Sequence, residues 1–209
     1  MKNKSLLVNI LIFIACISSE ARLPESWFFN HFNVGLEWGY TQCIARTWDY
    51  NIISEEGYRI YDEGREWMFR PNGSVLGQIG FLLNDDFVIA LYSGFVGVGE
   101  DNRLMPVQLR LSWFPGPPDE DGGFFFFQGG PAFHLRQQET RPAWMFASGI
   151  GFRHRLNYDC NLDISLGLKY LNDHPLLPSP DGAGNVPAHN IRKNDAGYCA
   201  LDLTLGFNF

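Results

Sequence analysis

Histidine, serine and cysteine are the residues of this chain best able to do chemistry, and their spacing decides which chemistry is open. A serine hydrolase needs a histidine base within hydrogen-bond reach of its nucleophile. His134 and Ser148 fall on neighbouring predicted strands, but at different heights. His154 shares its parity with an apolar strand face, which marks it as an interface residue. His174 and His189 share one loop with Asp173 and Asp181, and that spacing fits no metal-ligand motif. The glycine-rich stretches have no strand-to-helix context for phosphate binding. The expectation is a chain with no catalytic set, no metal site and no cofactor.

The elements that carry these residues read as strands. Phe32, Val34, Leu36, Trp38 and Tyr40 alternate with small or polar residues, and the same parity runs on through Ile44. Residues 45–72 are polar and read as a long first loop or an extended hairpin, with Ser54-Glu55-Glu56-Gly57 as a turn. Val75, Ile79, Phe81 and Leu83 mark a second strand. A third, Phe87–Val98, is apolar on both faces, so its parity is ambiguous. Met105, Val107, Leu109, Leu111 and Trp113 mark a fourth, with Pro106 expected to begin it or bulge it. The fifth opens on Phe124–Phe127, four aromatics that break the alternation. Trp144, Phe146, Ile150 and Phe152 give a sixth, and Leu162, Ile164, Leu166, Leu168 and Tyr170 a seventh. Residues 172–195 form a second long loop.

The eighth strand is the clearest. Leu201, Leu203, Leu205, Phe207 and Phe209 share one face, and Asp202, Thr204, Gly206 and Asn208 the other. This stretch resembles the C-terminal signature of bacterial outer-membrane β-barrel proteins, which the barrel-assembly machinery of that family reads. The resemblance implies an all-β fold: an eight-stranded antiparallel up-and-down transmembrane barrel of the OmpA/OmpX/OmpW type, embedded in outer-membrane lipids. The connections agree with it. They are short after strands two, four and six and long after one and seven, the asymmetry of such barrels.

Composition bounds the alternatives. Of 209 residues 15% are aromatic and 19% charged, too apolar for disorder. No internal run approaches the roughly 18 apolar residues of a membrane helix. Lys2 and Lys4 precede a short apolar core, Leu6–Ile17, and Ser19-Glu20-Ala21 is a small-x-small cleavage site, so residues 1–21 read as a signal peptide. A rival reading makes Cys16 a lipidated cysteine. Residues 22–209 then form the barrel domain, with 14 basic and 22 acidic residues and a net charge of −8. No basic patch suits nucleic acid.

A soluble lipocalin-like exported barrel alternates in the same way, with its apolar face inward. The polar face here carries Gly35, Gly80, Ser112, Gly149, Gly151, Ser165, Gly167 and Gly206, small residues suited to a crowded lumen. Its charges, Glu37, Arg110, Arg153, Arg155, Asp163, Lys169 and Asp202, have both signs and are expected to form an ion-pair network inside. Barrel closure would make strands one and eight neighbours. Cys43 and Cys199 are then candidates for a seam disulfide, although their parities differ.

The family includes adhesins, shields, anchors, small apolar-solute conduits and lipid A-modifying enzymes. Deacylase barrels carry a His followed closely by Ser-Asn. In Arg153-His154-Arg155-Leu156-Asn157 a leucine stands where that serine should be. The expected role is therefore a non-enzymatic structural or surface-interaction barrel, recognising an unidentified extracellular partner through loops 45–72 and 172–195. A lipid A-modifying enzyme, a soluble binding barrel and a narrow channel are the alternatives.

Overall fold

The computed structural model describes residues 31–209, except Glu55, Glu100, Asp101, Asp119, residues 136–140, Tyr158, Asp159, Asp181 and Ala183. The expected signal peptide lies outside the described residues. Eight strands follow one another: β1 (Phe32–Ile53), β2 (Arg59–Asn84), β3 (Phe87–Val98), β4 (Asn102–Trp113), β5 (Gly122–His134), β6 (Ala143–Asn157), β7 (Cys160–Asp173) and β8 (Ile191–Asn208). Each pairs with its neighbours in sequence, and β8 returns to β1 to close an antiparallel barrel. The seam register includes Trp38 opposite Leu205 and Tyr40 opposite Leu203. Backbone bonds Val34 N to Phe209 O (3.0 Å) and Phe209 N to Val34 O (2.8 Å) complete it at the short-turn end.

Alternation sorts the side chains as membrane barrels do. Ile79, Leu109, Phe127, Leu168 and Leu203 point outward and are exposed, Leu168 by 60%. Glu37, Gln108, Arg110, Gln128, Lys169 and Asp202 point inward and are buried. A soluble barrel has the reverse arrangement, because water would strip so wide an apolar belt of its stability. Aromatics rim the short-turn end, where Trp113 stacks on Phe125 with centroids 5.6 Å apart and Trp38 meets Phe207 edge-on at 6.0 Å.

Four expectations are corrected by local geometry. The parity of β1 does not run through Ile44: a bulge there shifts the register between Cys43, opposite Ala200, and Ala45, opposite Cys199. Above the bulge Arg46, Trp48 and Tyr50 turn to the inner side, and an outward apolar row gives way to Thr47, Asp49 and Asn51. Of the two readings of residues 45–72 the extended hairpin holds and the long loop does not: β1 and β2 both continue and close at Ser54–Tyr58, where Gly57 (φ 88°) supplies the left-handed residue. Pro106 neither begins β4 nor bulges it; the β3–β4 ladder simply skips from Ser93/Val107 to Val96/Leu104, leaving the ring where no N–H is required. The second long loop is shorter than expected, 174–190, because β7 and β8 extend into it. There Leu177 and Val186 pack on Ile52.

The four phenylalanines keep the alternation after all. Phe125 and Phe127 are outside, while Phe124 and Phe126 fill the lumen. Glycines on β6 make the room: a Cβ at Gly151 would lie 2.3 Å from the Phe124 ring, and one at Gly149 would lie 2.8 Å from Phe126. On β3 the inward set is Val88, Ala90, Tyr92 and Val96, which resolves its parity.

Candidate functional site: a packed lumen and a projecting sheet

The inward charges gather in layers. In the middle, Arg110 of β4 grips Glu37 of β1 with both terminal nitrogens, at 2.6 and 3.1 Å. Its Nε donates to Gln128 Oε1 (2.8 Å) and a terminal nitrogen donates to the Tyr92 hydroxyl (2.8 Å). Gln128 donates to Gln108, which donates to the Met145 carbonyl. The guanidinium also lies over the Phe126 ring, 4.7 Å from its centroid. Toward the long-loop end, Lys169 Nζ lies 3.0 Å from Asp202 Oδ1, and the Thr41 hydroxyl donates to the same carboxylate. Toward the short-turn end, Arg153 is bidentate on Asp163 (2.7 Å twice) and donates to the Pro118 carbonyl. Buried charges held this way are neutralised and hydrogen-bonded at once.

Arg155 does not join these layers. It lies beyond the lumen beside the β6–β7 turn, where its Nε donates to the Asn157 carbonyl (3.3 Å). Its backbone N–H donates to Asp121 (2.6 Å), whose other oxygen is 2.8 Å from His154 Nδ1. These two contacts hold the Asp121 carboxyl below the usual carboxylate range. The turn carrying Asp121 tucks beneath the barrel: Phe114 is buried against Phe124, with centroids 5.0 Å apart, and its N–H bonds the Asp86 carbonyl.

The disulfide expectation is also overturned, since Cys43, Cys160 and Cys199 are free thiols. The bulge at Ile44 brings the backbones of Cys43 and Cys199 together but leaves Cys43 facing inward and fully buried, with Cys199 facing out. The Cys43 thiol instead points at the Cys199 carbonyl, 3.5 Å away.

The histidines separate in the same way. Ser148 is exposed on the outer face, whereas His134 points inward and lies 2.8 Å from the buried Asp173. His174 Nδ1 contacts the Asn194 carbonyl and lies 3.4 Å from Asp195. Among the described residues no group of three or more His, Cys, Asp or Glu side chains has the arrangement of a metal site. The His134–Asp173 pair and the Gln108–Gln128 bridge escaped the sequence reading. Gln108 carried a signal in its polar parity on strand four; Asp173 carried none, because it was placed in a loop.

At the long-loop end three strands outgrow the barrel. The β1–β8 pairing continues to Ile52 opposite Ile191, and β2 extends alongside β1 to Arg59. The pairing of β2 with β3 reaches only Ser74 opposite Val96, so no described strand covers the far edge of β2 above it. The inner face of this sheet is knit by its own side chains. Arg46 lies 3.7 Å from Glu66 and stacks near Trp48 and Tyr198, and Trp48 Nε1 donates to Asp62 (3.2 Å). On the outer face Arg59 donates to Asn51 (2.9 Å). Lys193 of β8 pairs with Asp49 of β1, which raises its ammonium above its usual value. The outer face leaves Tyr61, Trp67 and Phe69 in the open, Phe69 by 78%.

The chain matches no protein-family model and no curated protein. Solved structures do resemble it. The outer membrane protein OprG from Pseudomonas aeruginosa superposes with a TM-score of 0.54 at 10% identity, over 85% of this chain and 94% of that one. AlkL in lipid bilayers gives 0.46 at 11% identity, covering 91% and 96%, and Neisserial surface protein A gives 0.40 at 9%, covering 83% and 95%. The inside-out side-chain pattern and the superposition on OprG lead to one conclusion: this chain has the fold of the small eight-stranded outer-membrane β-barrels.

Proposed function

We propose that the chain is a non-enzymatic barrel of the outer membrane that serves surface interaction, with the β8–β1–β2 sheet as its recognition element. The carrying observation is that sheet, which projects above the barrel with bare aromatics and an uncovered edge. The packed lumen supports the same reading: Glu37 and Arg110 bridge opposite walls where a pore would run. Residues 1–21 direct export, and the outward row Leu201, Leu203, Leu205, Phe207 and Phe209 is the segment read by the assembly machinery. Outer-membrane lipids surround the apolar belt, and the long-loop end faces the exterior.

Trypsin added to intact cells tests this orientation and role together. Cleavage is expected at Arg59 or Arg65, with the barrel below remaining resistant and shifting in mobility on boiling. Cleavage only after the outer membrane is opened, or recovery of the chain in the soluble periplasm, would overturn it. Replacing Phe209 by Asp should lower the amount assembled without changing the amount exported.

A further inference from the structure

We infer that the free edge of β2 pairs with the same edge of a second copy of this chain, held in a facing membrane. The inference rests on the surface-interaction reading and adds its partner.

The first observation is self-complementarity. Place a two-fold axis at Gly64 and run the segment 59–69 antiparallel to itself. On the outer face Arg59 then meets Phe69, Tyr61 meets Trp67 and Glu63 meets Arg65, each pair occurring twice. These are a cation over a ring, two aromatics and opposite charges, the pairs that stabilise antiparallel strands. On the inner face Ile60 meets Met68. Asp62 and Glu66 meet as like charges, but each is already bound within its own chain, Asp62 by Trp48 and Glu66 by Arg46. Glu63 and Arg65 have no ion-pair partner within the described protein: Glu63 accepts from Tyr61, and Arg65 lies over Trp67 at 4.8 Å. Edge strands normally defend themselves with charges that repel a second strand. Here the charges alternate in sign, so in this register they attract a copy of themselves. Pro71, which lacks a donor, lies outside the paired segment.

The second observation is symmetry. Extending a sheet antiparallel through the same edge requires a two-fold perpendicular to the sheet. The β2 wall is part of a barrel, so its normal is radial and lies in the plane of the membrane. Such an axis turns the second barrel upside down. The pairing therefore cannot form between neighbours in one membrane and fits only molecules on two apposed surfaces. Gly64 is eleven residues above Val75, about 36 Å along the strand. At a tilt of about 40° the axis sits about 28 Å above the apolar belt, so the two belts stand roughly 55 Å apart. Long surface polysaccharide would keep cells beyond that distance.

The test uses full-length protein on cells that lack long surface polysaccharide, with two populations labelled in different colours. Wild-type cells should clump. Cells carrying Glu63→Arg alone should not, because arginine then faces Arg65 across the axis. Cells carrying Arg65→Glu alone should not, because Glu63 then faces glutamate. Mixing these two populations should restore clumps that alternate the two colours, since each substitution complements the other. Heat-modifiability and trypsin access at Arg59 show that each variant is assembled. Wild-type cells that stay dispersed, or a mixture that fails to clump, would overturn the pairing. If the hairpin is still cut on intact cells, the surface-interaction reading survives that outcome with a different partner; if it is not cut, that reading falls as well.

Discussion

Arg110 and Glu37 face each other through the middle of the lumen from β4 and β1, two strands that share no hydrogen-bonded edge. Their side chains are almost wholly out of solvent, so each charge depends on the other. Changing Glu37 to Gln leaves a buried guanidinium whose charge is uncompensated, and the expected cost is about 3–5 kcal/mol. Denaturant titration in micelles, followed by tryptophan fluorescence, reads it directly. The double variant Glu37→Gln/Arg110→Gln should lose less than the two single variants added together. Strict additivity would show that the pair carries no coupling.

The outward belt makes a second demand. Leu203 lies on the exposed face of β8, inside the outward apolar row that runs from Leu201 to Phe209. Arginine there should destabilise the barrel in bilayers by about 2–4 kcal/mol. The same barrel with its outer face in water would be unharmed or improved by the change, so the sign of the effect tests whether the exposed face of β8 meets lipid.

Thiol chemistry should report the bulge at Ile44. Non-reducing mass mapping should find Cys43, Cys160 and Cys199 all free. Maleimide should reach Cys199 in the folded barrel but reach Cys43 only after unfolding. Rapid modification of Cys43 in the folded protein would mean that the strand is not packed as described.

Asp121 sets an acid-side prediction. Its folded-state carboxyl titrates below its unfolded counterpart, because the Arg155 N–H and His154 favour the anion. The stabilisation is therefore complete above the ordinary aspartate range, near ~3.9, and disappears as pH falls through the lowered folded-state value. Wild type should be the more stable protein at pH 6, and its advantage over Asp121→Asn should shrink below about pH 4. An advantage that is constant down to pH 2 would remove the carboxylate from the explanation.

Where one face was apolar and the other small or polar, as in β4, β6, β7 and β8, the period of two was enough to tell the inner face from the outer one along the barrel wall. Legibility failed where both faces carried the same kind of residue. Phe124–Phe127 looked irregular because the lumen takes phenylalanine wherever β6 offers glycine, a fact that resides in another strand. The end of β1 was lost for a different reason. One extra residue at Ile44 reverses which side chains face inward, and nothing in Cys43-Ile44-Ala45 announces it. Of the inner charges, six were identifiable from parity alone. Their partners were not, because Glu37–Arg110 joins strands that are distant in sequence, and Arg155 lay one alternation past the end of the lumen.

The seam between β1 and β8 also constrains how the molecule can form. Thr41 and Asp202, hydrogen-bonded inside that seam, are 161 residues apart in the chain. Every other strand can find its partner in the next stretch to arrive, but β1 stays half-paired until β8 is delivered. Contacts so remote in sequence are slow to form, and an apolar strand with an open edge is a template for the wrong neighbour in the meantime. The interval between the emergence of β1 and the arrival of β8 is thus when this chain is most open to mispairing, and closing the seam ends it.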